Sequence, residues 1–267
     1  MRVKPSILLS LCVFLGALSP LIVQGQASST KKKTKFVSIP RGVYKPLFTG
    51  KNEPKKVKVK RFKMDAFPVR AEEFLDFVTK NPKWRRSNRK SIFADKGYLS
   101  KWKSDLELGS AINPSSPVVE VSWFAAKAFC KAKKKRLPTV SQWEYVAAAS
   151  DTKRYAMEDA AYKEKLIKWY SKPTEQNLPE VGSTYPANIY GVHDMHGVIW
   201  EWTLDFNTAL VTGESRGDSA LNKQLYCGAG SAGASDFKDY TAFMRYAFRS
   251  SLRADFSVAS LGFRCVK

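Results

Sequence analysis

The stretch PVVEVSWFAAKAFCKAKKKRLPTVSQWEYVAAAS, residues 117–150, constrains the fold more than any other part of the chain. Ser122 precedes an apolar-periodic run and supplies the hydroxyl that caps a helix through Phe129 and Cys130. Thr139 and Gln142 then stand at the Thr-x-x-Gln spacing of a capping box, in which each side chain satisfies the other residue's backbone N–H. The second helix carries Trp143, Val146 and Ala147, and Pro138 limits how far the first can extend.

Earlier in the chain, KFVSIPRGVYKPLF and KKVKVKRFKMDAFPV alternate apolar with polar residues and predict two strands joined by TGKNEP. RAEEFLDFVTKN predicts a short helix with Phe74, Phe77 and Val78 on one face, fading at Asn81 and Pro82. Lys83 to Pro114 mixes Trp84, Phe93, Tyr98, Leu99 and Trp102 with many charges, and reads as a long, partly ordered excursion with its own aromatic anchors. Residues 151–182 are polar and weakly patterned, an insertion with one helix around Ala160 to Tyr170.

The 267 residues, 44% hydrophobic, suffice for one substantial core, so one large domain is expected. At the N-terminus, Arg2 and Lys4 precede an apolar stretch from Ile7 to Val23, and VQGQA offers small residues for cleavage after Gly25 or Ala27. That is the layout of a secretory signal peptide. The expected boundaries are a signal peptide over 1–27, a basic linker over 28–35 and a single domain over 36–267. An uncleaved anchor is the competing reading: Pro20 and the modest apolar length disfavour it, whereas KKKTK would slow translocation. Cys12 has no small residue just before it, which argues against a lipoprotein anchor.

Export changes what the charge means. With 45 basic against 24 acidic residues the formal net charge is +21, which in the cytosol would suggest nucleic acid. In the periplasm or cell envelope the expected partners are an envelope protein or an anionic polymer or glycan, with peripheral membrane contact through the basic clusters, and no nucleic acid. A lysine-rich solvated surface remains the plainer alternative. The clusters KKKTK, PKKVKVKRFK and KAKKKR are far apart in sequence, and only the fold decides whether they meet.

NIYGVHDMHGVIWEW, residues 188–202, holds both histidines of the chain, His193 and His196. A zinc or iron site needs three or more convergent ligands, and the helical His-Glu-x-x-His spacing is absent, so the pair is read as ordinary turn residues. Trp200 and Trp202 alternate and are expected in the core. The chain shows no Gly-x-Ser-x-Gly elbow and no phosphate-cradling glycine loop, so hydrolase and nucleotide-using functions find no support.

In order, FVSIPRGVY, FKMDAFPVRAEEFLDFV, SPVVEVSWFAAKAFC, KRLPTVSQWEYVAAAS, NIYGVHDMHGVIWEW and LGFRCV resemble the successive blocks of the formylglycine-generating enzyme, or sulfatase-modifying factor, family. The resemblance runs from about Lys35 to Lys267. It implies an α+β fold: a compact single domain of the C-type-lectin-like kind, low in regular secondary structure. Members include copper-dependent oxidases that convert a cysteine to formylglycine, siderophore-maturation proteins, a sulfoxide-forming domain of ergothioneine synthesis and ligand-binding variants, so the fold alone does not fix the chemistry.

The resemblance also implies site residues. The family often places calcium in the second-last of these blocks, which here corresponds to Asp194, the carbonyls of Gly197 and Ile199, and Glu201; hard oxygen donors from a glycine-containing turn suit that ion. Val198 departs from the family's usual Asn. The family pairs a cysteine of the AFC block with one of the GFRC block, here Cys130 and Cys265, a staple expected in an exported chain.

Copper is not expected. The family's oxidases need two further cysteines just after a GGSW-like block, because paired thiolates select Cu(I). Here the block reads CGAGSAGASDFKDYTAFMRYAFR, AGSA stands for GGSW, and no cysteine follows until Cys265. Cys227 is left odd, either buried as a small hydrophobe or available to another chain. Iron chemistry of the ergothioneine type would need a histidine-rich triad, which two histidines in one turn cannot supply.

At the family's ligand face the polar groups are Ser231, Ser235, Asp236, Lys238, Asp239, Tyr240, Arg245, Arg249 and Arg253. Ser235, Asp236, Tyr240 and Arg245 are the expected ligand-binding set, suited to an anionic or glycan ligand through charge-assisted hydrogen bonds. Arg249 and Arg253 read equally well as framework residues holding the C-terminal strands. Two functions remain: a noncatalytic binding or maturation factor of the envelope, or a cysteine-independent oxidase or maturation enzyme akin to the siderophore-maturation branch.

Overall fold

The computed structural model describes residues 35–46, 56–172, 175, 177–207 and 240–267. The expected signal peptide, nearly all of the basic linker, Cys12, Cys227, Ser231, Ser235, Asp236, Lys238 and Asp239 lie outside the described residues. Among the described residues no helix is long and apolar enough to cross a membrane.

The two expected N-terminal strands each divide in two. β1 (Phe36–Ile39) pairs antiparallel with β4 (Phe62–Asp65), and β2 (Gly42–Tyr44) pairs antiparallel with β3 (Val57–Val59). The breaks fall at Pro40–Arg41 and Lys60–Arg61, opposite one another, so the hairpin turns a corner where Pro40 has no N–H to give a ladder. Met64 of β4 in turn bridges Val266, and Val266 bridges Arg136, which brings the C-terminus between β4 and the end of the α2 segment.

α1 (Ala71–Lys80) buries Phe74, Phe77 and Val78 as its periodicity predicts, and Glu73 reaches back to the Arg70 N–H at 3.0 Å. α2 (Trp123–Ala132) is capped by the Ser122 hydroxyl, which accepts from the Ala125 N–H at 3.2 Å. α3 (Val140–Ala147) opens on the Thr139–Gln142 box, with reciprocal bonds of 3.2 and 3.1 Å. α4 (Ala160–Tyr170) occupies the span expected of it; the carboxylate of Asp159, a cap not singled out in the sequence, accepts from the N–H groups of Ala161 and Tyr162. α5 (Tyr240–Ser251) and two short parallel strands, β5 (Trp200–Glu201) and β6 (Leu261–Gly262), complete the described elements.

Regular structure is sparse, as expected for this fold class, and packing does the holding. One core gathers Phe74, Phe77, Phe129, Trp202 and Phe263, and a second gathers Ile39, Met64, Trp143, Val146 and Val266. The segment from Lys83 to Pro114 is tied to the first core: Tyr98, Leu99 and Trp102 are buried, and Tyr98 donates to the Trp84 carbonyl at 2.9 Å. Arg86 fastens its turns by donating to the carbonyls of Leu99, Ser100 and Trp102. Cys130 of α2 and Cys265 of the C-terminal segment form a disulfide with Cα atoms 5.7 Å apart.

Candidate functional site

α3, α4, α5 and the 188–202 turn converge on two buried ionic clusters joined by one indole. In the first, Arg245 sets Nε and Nη2 on the Glu144 carboxylate at 2.8 to 3.2 Å, and Arg249 adds Nη1 at 2.6 Å. The arginines stand one helical turn apart on α5 and therefore share a face. In the second, Arg264 grips both oxygens of Glu201 at 2.8 to 3.0 Å. Trp143 connects them: its indole N–H donates to Glu201 Oε2 at 2.8 Å, and the Arg249 guanidinium lies 4.8 Å from its ring centroid.

Burial and charge oppose each other at Glu144. Burial would raise its pKa, but the Arg245 and Arg249 guanidiniums outweigh it and hold the carboxyl at about 2. Arg245 is pushed up by Glu144 despite its own burial. His196 goes the other way: enclosure, followed by repulsion from Arg245, brings it from 6.5 to about 3, so the imidazole is neutral. Its Nε2 donates to the Ala147 carbonyl at 2.8 Å in the tautomer that leaves Nδ1 to accept from Tyr170, whose hydroxyl lies 3.3 Å away.

The two histidines do not converge. His193 stacks on Phe67 with ring centroids 4.7 Å apart, whereas His196 is enclosed by Trp143, Tyr162, Trp169 and Tyr170. His196 is thus a structural hub rather than an ordinary turn residue. Gly197, at φ +98°, is required beside it, because a Cβ there would collide with the Trp169 ring.

The expected calcium ligands divide. Asp194, buried at φ +54°, accepts from the Gly182 N–H through Oδ2 at 2.6 Å, while its Oδ1 is buried without a hydrogen-bond partner among the described residues. That open oxygen fits a cation ligand. Glu201 does not fit in the same way, since both its oxygens are held by Arg264 and one also by Trp143. Arg264 Nη2 also donates to the carbonyls of His193 and Asp194 at 2.9 and 3.2 Å, so a guanidinium already fills the inner side of this turn. Among the described residues no group of three or more His, Cys, Asp or Glu is placed to hold a metal ion.

Of the expected ligand set, Tyr240 and Arg245 lie among the described residues. Arg245 is buried and its guanidinium donates to Glu144, the Tyr170 hydroxyl and the Thr241 carbonyl, which leaves one Nη2 N–H without a partner among the described residues. Tyr240 lies exposed at the start of α5. Arg253 is not a framework residue: its exposed side chain pairs with Asp255. Arg249 is a framework residue, but it ties α5 to α3, and Arg264 is the arginine that braces the C-terminal segment. Trp202 is fully buried as expected, while Trp200 stacks on Phe248 at 4.2 Å and forms a cavity wall.

Sequence reading missed Glu144. Two signals pointed to it: an acid within the apolar run WEYVAAA, and two arginines four apart on a helix face, which need an anion between them when buried.

The basic clusters partly merge. Lys63 and Lys267 exchange backbone hydrogen bonds of 2.8 Å each, and Val266 does the same with Arg136 at 2.7 and 2.9 Å. Lys35 joins this edge, its carbonyl accepting from Ala66. Asp65 is engaged by Lys135 at 2.7 Å. Lys63, Lys133, Lys134 and Lys267 are exposed along the edge.

A family model described as a sulfatase-modifying factor enzyme 1-like domain matches residues 23–267. The chain is 28% identical to the formylglycine-generating enzyme of Bos taurus, over 87% of this chain and 74% of that protein. It is also 28% identical to the inactive C-alpha-formylglycine-generating enzyme 2 of Bos taurus, over 58% of this chain and 63% of that one. Among solved structures, PvdO from Pseudomonas aeruginosa aligns with 87% of this chain and 94% of its own at 17% identity and a TM-score of 0.43.

Proposed function

The chain belongs to the sulfatase-modifying factor, or formylglycine-generating-enzyme-like, family, and we propose that it is an exported member without copper-dependent formylglycine formation, acting as a binding or maturation factor in the cell envelope. Cysteine arithmetic carries this reading. Of four cysteines, Cys130 and Cys265 are joined to each other, leaving only Cys12, inside the apolar N-terminal stretch, and Cys227. A Cu(I) bis-thiolate site would have to be made from those two. The inactive relative is consistent with a family in which the fold outlives the oxidation.

The partner in this reading is an envelope protein or an anionic polymer or glycan, met through the edge that carries Lys63, Lys134 and Lys267. Calcium enters through Asp194 Oδ1 and the carbonyls of Gly197 and Ile199, where it would add rigidity to the turn; Glu201 would join only by sharing an oxygen with Arg264. The test is incubation of the purified protein with Cu(I), a thiol reductant, oxygen and a cysteine peptide, followed by mass spectrometry and by oxygen uptake against a protein-free control. No formylglycine and no uptake beyond that control are expected. Formylglycine in the product sinks the proposal.

The second reading, a cysteine-independent oxidase or maturation enzyme, draws on one observation: the Tyr170 hydroxyl, held by His196 and Arg245, belongs to a residue lining a cavity. It requires substrate-dependent oxygen uptake that Tyr170→Phe abolishes while the fold survives.

A further inference from the structure

A cavity of about 130 Å³ lies between the 188–202 turn, α4 and α5, and its walls include Trp143, Tyr170, Trp200, Phe248 and Arg249. Among the described residues the charges around it do not cancel. Glu144 supplies one negative charge against the two guanidiniums of Arg245 and Arg249, and Glu201 is matched by Arg264. Lys172 and Glu175, which also line it, offset one another. Among the described residues one positive charge is left over beside the rings of Trp143, Tyr170, Trp200 and Phe248, where an unbalanced ion is costly.

Its place can be named. Arg245 meets Glu144 side-on, through Nε and Nη2, and spends both Nη1 donors on the Tyr170 hydroxyl and the Thr241 carbonyl, which leaves it a single Nη2 N–H and no fork. Arg249 meets the same carboxylate through Nη1 alone, which leaves its Nε and Nη2 without a hydrogen-bond partner among the described residues. Those two donors form the fork that receives both oxygens of a carboxylate. The residue is only 8% exposed and lines the cavity, so the fork is preorganised by Glu144 below and Trp143 beside it.

We propose that this cavity binds a small aromatic monocarboxylate, its carboxylate on Nε and Nη2 of Arg249 and its ring against Trp200, Phe248 and Tyr170. One negative charge balances the site, whereas a dianion such as phosphate would overcharge it. The aromatic walls give a flat apolar body more contact than they give water, and an apolar cavity of about 150 Å³ is known to hold a benzene ring. The inference rests on the noncatalytic reading above and gives it a ligand class.

The test uses the full chain and titrates benzoate, with its neutral isostere benzamide in parallel, following tryptophan fluorescence and calorimetric heat. Benzoate is expected to bind saturably and at least about tenfold more tightly than benzamide, a difference of about 1.4 kcal/mol. Arg249→Lys, which keeps the charge and removes the fork, is expected to weaken benzoate by about tenfold or more, and Arg253→Gln, at an exposed arginine, to leave it unchanged. Circular dichroism establishes that each variant folds; if Arg249→Lys does not, Trp200→Leu serves in its place and is expected to lower affinity for benzoate. Equal binding of benzamide, or no benzoate binding up to about 10 mM, overturns the assignment. Neither result touches the noncatalytic reading, which fails only if the peptide assay shows oxidation.

Discussion

Arg264 places Nε and Nη2 against both carboxylate oxygens of Glu201, with both side chains fully enclosed. The pair joins the C-terminal segment to β5 and, through the Trp143 indole, to α3. A buried ion pair adds little over a well-packed apolar pair, yet half of one is a severe defect, because the remaining charge has neither water nor partner.

Arg264→Met is therefore expected to lower unfolding free energy by about 3 to 5 kcal/mol. Arg264→Met combined with Glu201→Leu should recover much of that loss. Urea denaturation of the two variants checks it; a double variant as unstable as the single would show that the pair contributes through something other than charge compensation.

Acid should destabilise the fold through His196 and Glu144. The folded state keeps His196 neutral down to about 3, whereas the unfolded chain protonates it near 6.5. Below 6.5 the unfolded state thus binds more protons, and stability falls with pH until about 3, where the folded state protonates as well. Glu144 acts in the same direction lower down: its folded pKa of about 2 lies below the ordinary 4.5, so its contribution is present above 4.5 and lost as pH falls through 2. His196→Gln is expected to flatten the stability profile between about 6 and 4. Thermal melts across that range measure it, and an unchanged slope in the variant would count against a neutral imidazole enclosed by aromatic rings.

How much of this was legible in advance follows from the range of the forces involved. The caps of α2 and α3 and the faces of α1 could be read because they depend on neighbours within four residues. The corner that splits the N-terminal strands could not, since it requires breaks at Pro40–Arg41 and Lys60–Arg61 to coincide across the hairpin. The ion pair of Arg245 could not be read, because its partner Glu144 is 101 positions away. His196 looked like a turn residue because the rings around it come from α3 and α4. The Cys130–Cys265 pairing, implied by family resemblance and not by spacing, is present in the structure.

That disulfide spans 135 residues and should be a strong constraint on the unfolded chain. Replacing both cysteines with alanine is expected to cost about 2 to 5 kcal/mol of stability. The measurement is the urea midpoint of Cys130→Ala/Cys265→Ala against the native chain, with and without reductant. Reductant should move the native chain toward the variant and leave the variant unmoved.

Calcium gives a test of Asp194. An ion that binds only the folded state stabilises it by mass action, about 2.7 kcal/mol at a hundredfold excess over its dissociation constant. The melting temperature should rise when calcium replaces chelator, and Asp194→Asn should remove most of that rise by taking away the charge next to the open oxygen. A calcium response that survives Asp194→Asn would move the site elsewhere.

The paired lysines at the C-terminus bear on what the domain meets. Lys63 and Lys267 are a directly hydrogen-bonded cross-strand pair, the arrangement in which like charges repel, and the nearby Asp65 is taken by Lys135. An anionic surface laid against this edge relieves that repulsion as well as attracting Lys133 and Lys134. Vesicles rich in phosphatidylglycerol should therefore retain the protein at low ionic strength and release it as salt shortens the screening length, while phosphatidylcholine vesicles should not retain it. Changing Lys63, Lys134 and Lys267 to Gln removes three near-surface charges, each worth about 1 kcal/mol, so binding should weaken on the order of a hundredfold. Cosedimentation at several salt concentrations reads the effect. Equal loss when three exposed lysines elsewhere, Lys90, Lys96 and Lys101, are changed instead would mean that net charge matters and this edge does not.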